Sequence, residues 1–258
     1  MSIALTVDDR GVARLTLNRP EKHNALSEQM LVQLTALGDE IAERDDIRVV
    51  VLDAAGPTFC AGGDLRWMQE QIAAGSAQRR AAAMVLAGML ERINTLPQPV
   101  IGRVQGNAFG GGVGMACVCD VTIAVEAAKF GLTETKLGLI PATIGPYVVA
   151  RMGEAHARQV FMSSRIFEAS EAYRLGIVSK VVAADALDDA VEAEISPYLT
   201  CAPGAVAAAK AQVRSLGIPI TQEVVAASID RLVDRWDGTE AQDGLAAFFA
   251  KTPPPWVK

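Results

Sequence analysis

The spacing of hydrophobic residues changes along the chain, and each spacing predicts a different element. Residues 3–7 and 12–17 read as short strands on either side of an acidic, glycine-containing turn, which predicts an N-terminal β-hairpin. In residues 28–44 apolar side chains recur every three or four positions, behind Ser27, a favourable helix N-cap. The chain is therefore expected to begin with a hairpin followed by a helix with one buried face.

From residue 48 onward the pattern is a succession of strands, loops and helices. Residues 48–53, RVVVLD, form a β-branched run that is typical of a strand covered on both faces. A polar, alanine-rich stretch at 66–94 predicts a helix that loosens around Gly75. In residues 99–125, PVIGRVQG predicts a strand and a loop, GGGVGMACVCD predicts a helix entered through glycines, and DVTIAV predicts another strand. This order is typical of the α/β class.

The strand signal stops beyond about residue 183. The rest of the chain has helical spacing, so we expect residues 1–183 to form an α/β core and residues 184–258 to form a helical C-terminal region. The four segments predicted as helices are 185–199, 204–216, 222–236 and 239–250.

The composition indicates a globular protein without a nucleic acid or membrane partner. The 258 residues are 50% hydrophobic, and the 24 basic and 30 acidic residues are interspersed, with a net charge of −6. No run of about 18 apolar residues occurs, and the first residues lack the pattern of a signal or transit peptide. We therefore expect a cytoplasmic protein.

Residues that bind metals or act as nucleophiles are sparse. His23 and His156 are the only histidines and lie far apart, and Ser163 and Ser164 lack the G-x-S-x-G pattern of a nucleophilic serine. The cysteines match neither a zinc nor a disulfide spacing, so we interpret them as reduced packing thiols. We expect no metal and no redox cofactor. The cysteines are Cys60, Cys117, Cys119 and Cys201.

Two loops contain more glycine than packing alone requires. CAGGDL at 60–65 and GNAFGGGVG at 106–114 each follow a predicted strand and open a helix, so free backbone N–H groups are expected to point into a site above the sheet. Neither loop has the G-x-G-x-x-G spacing of a dinucleotide site, and no G-x-x-x-x-G-K-[ST] occurs. The alternative, that the glycines only permit close helix packing, explains one loop better than two.

Five segments together carry a resemblance to a known family. They are LNRPEKHNAL at 17–26, FCAGGDL at 59–65, PVIGRVQGNAFGGGVGMACVCD at 99–120, KFGLTETKLGLIP at 129–141 and AFFAKTPPPW at 247–256. In this order they resemble the enoyl-CoA hydratase/isomerase (crotonase) family over essentially the whole chain. The resemblance implies a spiral of ββα turns, a helical C-terminal region that forms trimers or hexamers, and an acyl-CoA thioester as substrate.

The resemblance also implies roles for particular residues. Gly63 and Gly111 match the two backbone amides of the family's oxyanion hole, and Glu134 matches one of its two catalytic glutamates. The other matches are to residues that contact CoA or the acyl group. They are Lys22, His23, Ala61, Gly62, Asp64, Leu65, Gly114, Phe248 and Lys251.

The second catalytic glutamate is expected just after the glycine triplet, where this chain has Gly114. Three explanations are open: Glu134 works alone, an anion or another side chain takes the place of the glutamate, or the substrate supplies a carboxylate. The local sequence is most similar to hydratases of methylglutaconyl-CoA or isohexenylglutaconyl-CoA, whose substrates end in a carboxylate. Arg66, Lys136 and Arg151 are candidate partners for that group.

Two other functions compete with hydration of an enoyl-CoA. A double-bond isomerase of the same family moves a proton with a single carboxylate, which Gly114 allows. A non-catalytic or RNA-binding member is the alternative of another class. The predicted helix at 28–44 carries four acidic residues against one arginine, which disfavours contact with phosphates.

Overall fold

The structure is a computed structural model that describes residues 2–258, and it contains ten strands and eleven α-helices in that part of the chain. The strands are β1 (Ile3–Val7), β2 (Val12–Leu17), β3 (Val49–Ala54), β4 (Thr58–Cys60), β5 (Val100–Val104), β6 (Asn107–Phe109), β7 (Val121–Val125), β8 (Lys129–Gly131), β9 (Ile166–Glu168) and β10 (Lys180–Val182). The helices are α1 (Glu28–Ala42), α2 (Leu65–Ala73), α3 (Ser76–Thr95), α4 (Gly111–Val118), α5 (Gly145–Met152), α6 (Glu154–Val160), α7 (Ala169–Arg174), α8 (Leu187–Leu199), α9 (Pro203–Leu216), α10 (Gln222–Trp236) and α11 (Thr239–Ala250).

The strands form two sheets. The larger sheet has the order β1-β2-β3-β5-β7-β10, with an antiparallel β1–β2 hairpin and parallel pairs elsewhere. Its central strand β3 is almost entirely buried, as the run of β-branched residues predicts. The smaller sheet has the order β4-β6-β8-β9, and its first three strands are parallel.

A repeated ββα unit connects the sheets. Each unit places one strand in the larger sheet, a short strand in the smaller sheet, and then a helical segment: β3-β4-α2-α3, β5-β6-α4 and β7-β8-α5. The predicted α/β class and the spiral of ββα turns are confirmed. Because β4, β6 and β8 are parallel neighbours, the segments that follow them meet at one edge of the smaller sheet.

Most element boundaries agree with the sequence pattern. The hairpin strands and the last two helices have the predicted limits, and the helix predicted at 66–94 is divided into α2 and α3 next to Gly75. The hydrophobic pattern does not predict the smaller sheet, because its strands have three residues each, too few for a two-residue period to be recognised.

The C-terminal region is helical as predicted, and α9 is held to the core by polar contacts. Lys210 Nζ donates hydrogen bonds to Asp120 Oδ2 at 2.7 Å and to the Gln98 carbonyl oxygen at 3.0 Å, while no residue of α9 is buried. The division of the chain at residue 183 stays a prediction. Among residues 2–258 there is no helix whose length and apolar character would allow it to cross a bilayer.

Candidate active site

The site lies where parallel strands of the smaller sheet end. β4 ends at Cys60 and β6 ends at Phe109, so the two glycine loops share one edge. Gly62 (φ +93°) and Gly110 (φ +48°) adopt backbone conformations that favour glycine. A Cβ atom on Gly62 would lie 3.2 Å from the Phe109 carbonyl oxygen. The two loops are therefore in close contact, and a side chain at Gly62 would separate them.

Each loop presents to the cavity a backbone N–H group that has no acceptor among residues 2–258. Gly111 is the first residue of α4, where a helical N–H has no intrahelical partner. On the other loop, the Gly62 carbonyl accepts a hydrogen bond from Leu26 N at 2.8 Å, and Asp64 N donates to the Leu26 carbonyl at 2.9 Å. These bonds fix the loop on both sides of Gly63, whose own N–H has no acceptor within residues 2–258. Gly63 and Gly111 border the same cavity.

Glu134 comes from the third parallel strand of the smaller sheet. It begins a 3₁₀ turn, Glu134–Leu137, three residues after β8. A Cβ atom on Gly110 would lie 3.2 Å from Glu134 Oε1, so the carboxylate lies against the second glycine loop. The residue as a whole is half-buried, yet its Oε2 atom is buried and has no hydrogen-bond partner among residues 2–258. Removal from water raises the pKa of Glu134 from its ordinary value of 4.5 to about 7.

A buried serine fixes the turn that carries Glu134. Ser164 has a left-handed backbone (φ +50°), and its Oγ forms a hydrogen bond of 2.5 Å with Thr135 Oγ1. The same oxygen accepts a hydrogen bond from Lys136 N at 3.1 Å. Ser164 therefore positions the turn from outside the cavity. The sequence gives no signal for this role, because Ser164 lies 30 residues beyond Glu134 and belongs to no recognisable motif.

The cavity at this edge has a volume of about 400 Å³ and a mainly apolar wall. Both glycine loops and the 3₁₀ turn contribute part of the wall. Further parts come from α2, α3, the segment 139–144 and the C-terminal helices. The lining includes Trp67, Gln71, Arg79, Ile140, Ile144 and Trp236. Trp67 Nε1 and Gln71 Oε1 are buried and have no hydrogen-bond partner in the part of the chain that the structure describes.

Hydrocarbon occupies the position where a second glutamate was expected. Gly114 is buried inside α4 and does not border the cavity, whereas Ile144 does. A Cβ atom on Gly114 would lie 2.6 Å from Ile144 Cγ2 and 3.0 Å from Ile144 Cβ. The side chain that takes the place of the glutamate is therefore isoleucine, which can neither move a proton nor hold a water molecule by hydrogen bonds.

The predicted site residues fall into two groups. Ala61, Gly62, Leu65 and Phe248 border the cavity together with the predicted catalytic residues Glu134, Gly63 and Gly111. The others do not border it, and they are Lys22, His23, Asp64, Gly114 and Lys251.

Three of the residues outside the cavity lie in or next to the first glycine loop. The His23 carbonyl accepts a hydrogen bond from Ala61 N at 3.0 Å, and Lys22 is its exposed neighbour. The Asp64 side chain caps α2 at Arg66 N and pairs with Arg19 at 3.2 Å. Asp64 thereby fixes the loop and the helix that follows it, and the role of all three residues in CoA binding stays a prediction.

Only one of the three candidate cations borders the cavity. Arg66 has 89% of its side chain exposed and lies beside Glu70. Arg151 donates hydrogen bonds to the carbonyl oxygens of Gly176 and Asp120, away from the site. Lys136 borders the cavity two residues after Glu134.

Cysteine chemistry is not favoured at this site. Cys60 is buried beside the first glycine loop, and burial raises the pKa of its thiol to about 12, which disfavours the reactive thiolate. Among residues 2–258, no three His, Cys, Asp or Glu side chains are grouped so that they could hold a metal ion. The absence of a metal and of a cofactor from the reaction stays a prediction.

Comparison with known proteins gives matches over nearly the whole chain. A family model described as Enoyl-CoA hydratase/isomerase matches residues 8–258. An enoyl-CoA hydratase from Shewanella pealeana is 36% identical, with a TM-score of 0.82 over 99% of this chain and 96% of that chain. The structure of an enoyl-CoA hydratase from Mycobacterium smegmatis is 33% identical, with a TM-score of 0.81 over 100% of both chains. Pseudomonas aeruginosa AtuE is 36% identical, with a TM-score of 0.81 over 100% of both chains.

Proposed function

The chain belongs to the enoyl-CoA hydratase/isomerase family and is an enzyme of the enoyl-CoA hydratase type, and from this premise we propose that Glu134 is its acid/base and that Gly63 and Gly111 form its oxyanion hole. One observation carries the proposal. Two free N–H groups and a carboxyl group with a raised pKa border the same cavity. This combination suits a reaction in which an oxygen atom gains charge while a neighbouring carbon exchanges a proton.

The reaction that this arrangement supports is addition of water across the 2,3 double bond. As water attacks C3, Glu134 accepts its proton, and negative charge moves through C2 to the thioester oxygen. The N–H groups of Gly63 and Gly111 donate to that oxygen, and loss of one such donor typically costs about 3 to 4 kcal/mol. Glu134 then gives a proton to C2, which yields a 3-hydroxyacyl-CoA and restores the carboxylate.

We propose a branched glutaconyl-CoA thioester as the substrate. Because Ile144 stands where a second carboxylate would hold water, a carboxylate on the substrate can take over that task. Two residues of the cavity wall carry donors that suit such an anion: Lys136, which has an ammonium group, and Trp67, whose Nε1 is unpartnered. Trp67 lies near the oxyanion hole, since a Cβ on Gly63 would be 3.7 Å from its ring.

Replacing Lys136 by methionine is expected to weaken recognition of the carboxylate selectively. For methylglutaconyl-CoA we expect KM to rise about tenfold, the effect of losing one hydrogen bond to a charged group. For crotonyl-CoA, which has no carboxylate, KM should change less than twofold. Steady-state kinetics with both substrates measure the difference.

Arg66→Met is the matched control, because Arg66 is a nearby cation whose side chain is 89% exposed outside the cavity. It should leave both KM values unchanged. Equal losses on the two substrates in Lys136→Met would contradict a contact between Lys136 and the substrate carboxylate.

Double-bond isomerisation is the second candidate function. It is favoured by the same observation at Ile144, since an isomerase needs one carboxylate to move a proton between C2 and C4 and adds no water. Glu134 and the oxyanion hole would serve that reaction without change.

Three substrates separate the two functions. The purified protein is incubated with methylglutaconyl-CoA, crotonyl-CoA and a 3-enoyl-CoA, and thioester absorbance and product mass are followed together. Gain of one water on the carboxylated substrate supports the proposed hydratase. Equal rates on crotonyl-CoA would remove the support for a substrate carboxylate, a shift of the double bond without added water would establish the isomerase, and no conversion would favour a non-catalytic role.

The hydration rate is expected to rise with pH through the neutral range. The pKa of Glu134 is raised to about 7, and the carboxyl group must be ionised to accept a proton from water. kcat/KM should therefore increase about tenfold for each pH unit below this pKa and level off above it, as a pH–rate profile would reveal. A profile that is flat from pH 5 to 8 would contradict Glu134 as the base.

We also propose a cytoplasmic homotrimer or hexamer that acts on acyl-CoA without a cofactor. The free cysteines suit a reducing compartment. Exposed apolar side chains in and just after α9, which are Val213, Leu216 and Ile218, suit burial against another subunit. Exposed Lys22 and Lys251 suit contact with the phosphates of CoA.

A further inference from the structure

Two side chains border both the active-site cavity and a second one. Arg79 of α3 and Trp236 of α10 border both the 400 Å³ cavity and a neighbouring cavity of about 330 Å³. The second cavity lies between α2 and α11 and is otherwise bordered by Ile72, Gln242, Leu245 and Ala246. Arg79 and Trp236 therefore lie where the two spaces adjoin, and the pair is here called the Arg79–Trp236 wall.

Hydrogen bonds hold the arginine of this wall in one position. Arg79 Nε donates to the Gln71 carbonyl at 2.9 Å, and its Nη2 donates to the Ile72 carbonyl at 3.1 Å. Its Nη1 donates to Asp237 Oδ1 at 2.6 Å. These bonds join α2, α3 and the end of α10, and only 12% of the Arg79 side chain is exposed.

The tryptophan of the wall is fixed by packing. The Arg79 guanidinium lies over the Trp236 ring at 5.3 Å from its centroid, a cation–π contact. Trp236 is buried in a small cluster with Leu139, Ala241 and Leu245. Movement of the ring would break both sets of contacts, so the wall is a fixed boundary of the cavity.

We propose that the Arg79–Trp236 wall is the end of the acyl pocket and sets the longest acyl chain that the enzyme binds. The inference rests on the proposed function, in which the larger cavity receives the acyl group. Chain atoms that reach the wall meet a hydrogen-bonded guanidinium and a packed indole. Further methylene groups cannot be buried there, although an apolar space exists immediately beyond. The wall thus selects short or compactly branched acyl groups.

Binding of saturated acyl-CoA thioesters of increasing length tests the wall without requiring turnover. In the wild type, affinity is expected to increase with each added methylene and then stop increasing at a limiting length. Trp236→Leu opens the wall, and the increase should continue for at least two more methylenes, a gain of about tenfold in affinity for the longest chains. Titration calorimetry measures both limits.

Two variants control for a general widening of the pocket. Ile140→Ala removes a side chain that borders only the larger cavity and does not belong to the cluster around Trp236, so it should leave the limiting length unchanged. Ala246→Phe, added to Trp236→Leu, fills the second cavity and should restore the wild-type limit. The role of the wall would be overturned if Trp236→Leu left the limiting chain length unchanged. It would also be overturned if wild-type affinity kept rising with chain length. Failure to bind any acyl-CoA would instead overturn the proposed function itself.

Discussion

Glu134→Gln is expected to lower kcat for the preferred substrate by about 10²- to 10⁴-fold, the range attributed to a positioned general acid or base. Glutamine has nearly the shape of glutamate but cannot accept a proton at neutral pH, so binding should be preserved while proton transfer is lost. KM should change less than threefold. The measurement is a comparison of kcat and KM for the wild type and the variant on the substrate that the wild type converts.

Stability measurements separate a catalytic loss from a folding defect. Glu134 Oε2 has no hydrogen-bond partner to lose, and glutamine carries no charge that must be removed from water. Because the folded protein binds the Glu134 proton more tightly than the unfolded chain, ionisation lowers wild-type stability as pH rises from about 4.5 through 7. At pH 8 the variant should therefore unfold at a temperature equal to or above that of the wild type.

Glu168→Gln is a suitable control for the loss of a carboxylate. Glu168 lies on β9, next to the strand that leads to Glu134, but it is exposed and does not border the cavity. Its replacement should leave kcat unchanged. If Glu134→Gln kept more than a tenth of wild-type kcat, another group would have to carry the proton.

The two glycine loops serve packing and chemistry at different positions. A Cβ atom on Gly112 would lie 2.7 Å from the Cys60 carbonyl oxygen, and one on Gly106 would lie 2.0 Å from the Pro57 carbonyl oxygen, so these glycines allow backbone segments to approach. At Gly63 a Cβ would make only ordinary contacts of 3.6 and 3.7 Å. Packing therefore explains the glycines at residues 106 and 112. It does not require glycine at residue 63, which suits the proposed approach of a ligand to the Gly63 backbone.

The sequence predicted those parts of the structure that depend on local pattern. Long periodic segments such as α1 and β3 could be recognised because burial of one or both faces determines their residues. Both glycine loops and Glu134 could be recognised because they lie in compact motifs. The wall could not be found in this way, because Arg79 and Trp236 are far apart in the sequence and meet only through the packing of α10 on α3.

The position of Ile144 beside Gly114 could not be predicted either, because these two residues also meet only through the packing of helices. The sequence indicates only that Gly114 lacks a side chain, and it leaves open what adjoins that position. The fold brings Ile144, at the N-terminus of α5, against α4. The absence of a carboxylate at residue 114 is thus accompanied by an apolar side chain in the adjoining space, which suits the proposal that Glu134 is the one protein carboxylate of the site.

Gly114→Ala is expected to destabilise the protein by about 2 kcal/mol, which corresponds to a fall in Tm of roughly 6 °C. The added methyl group would lie 2.6 Å from Ile144 Cγ2, with Leu90 Cδ1 at 3.7 Å on another side, so the buried neighbours must move. Gly88→Ala is the matched control. Gly88 lies within α3, and a Cβ there meets nothing within 4 Å, so alanine should leave stability unchanged or raise it by about 0.5 to 1 kcal/mol.

A double-mutant cycle that combines Gly114→Ala with Ile144→Ala tests whether contact with Ile144 causes the loss of stability. Ile144→Ala alone should cost about 3 kcal/mol, because it leaves a space in the packed wall. Together the two substitutions should cost at least about 1 kcal/mol less than their sum, since the methyl group at residue 114 enters the space left by Cγ2. Additive losses would mean that Ile144 does not fill the position beside Gly114. Water could then be held there without a substrate carboxylate, and crotonyl-CoA would be expected to react as fast as methylglutaconyl-CoA.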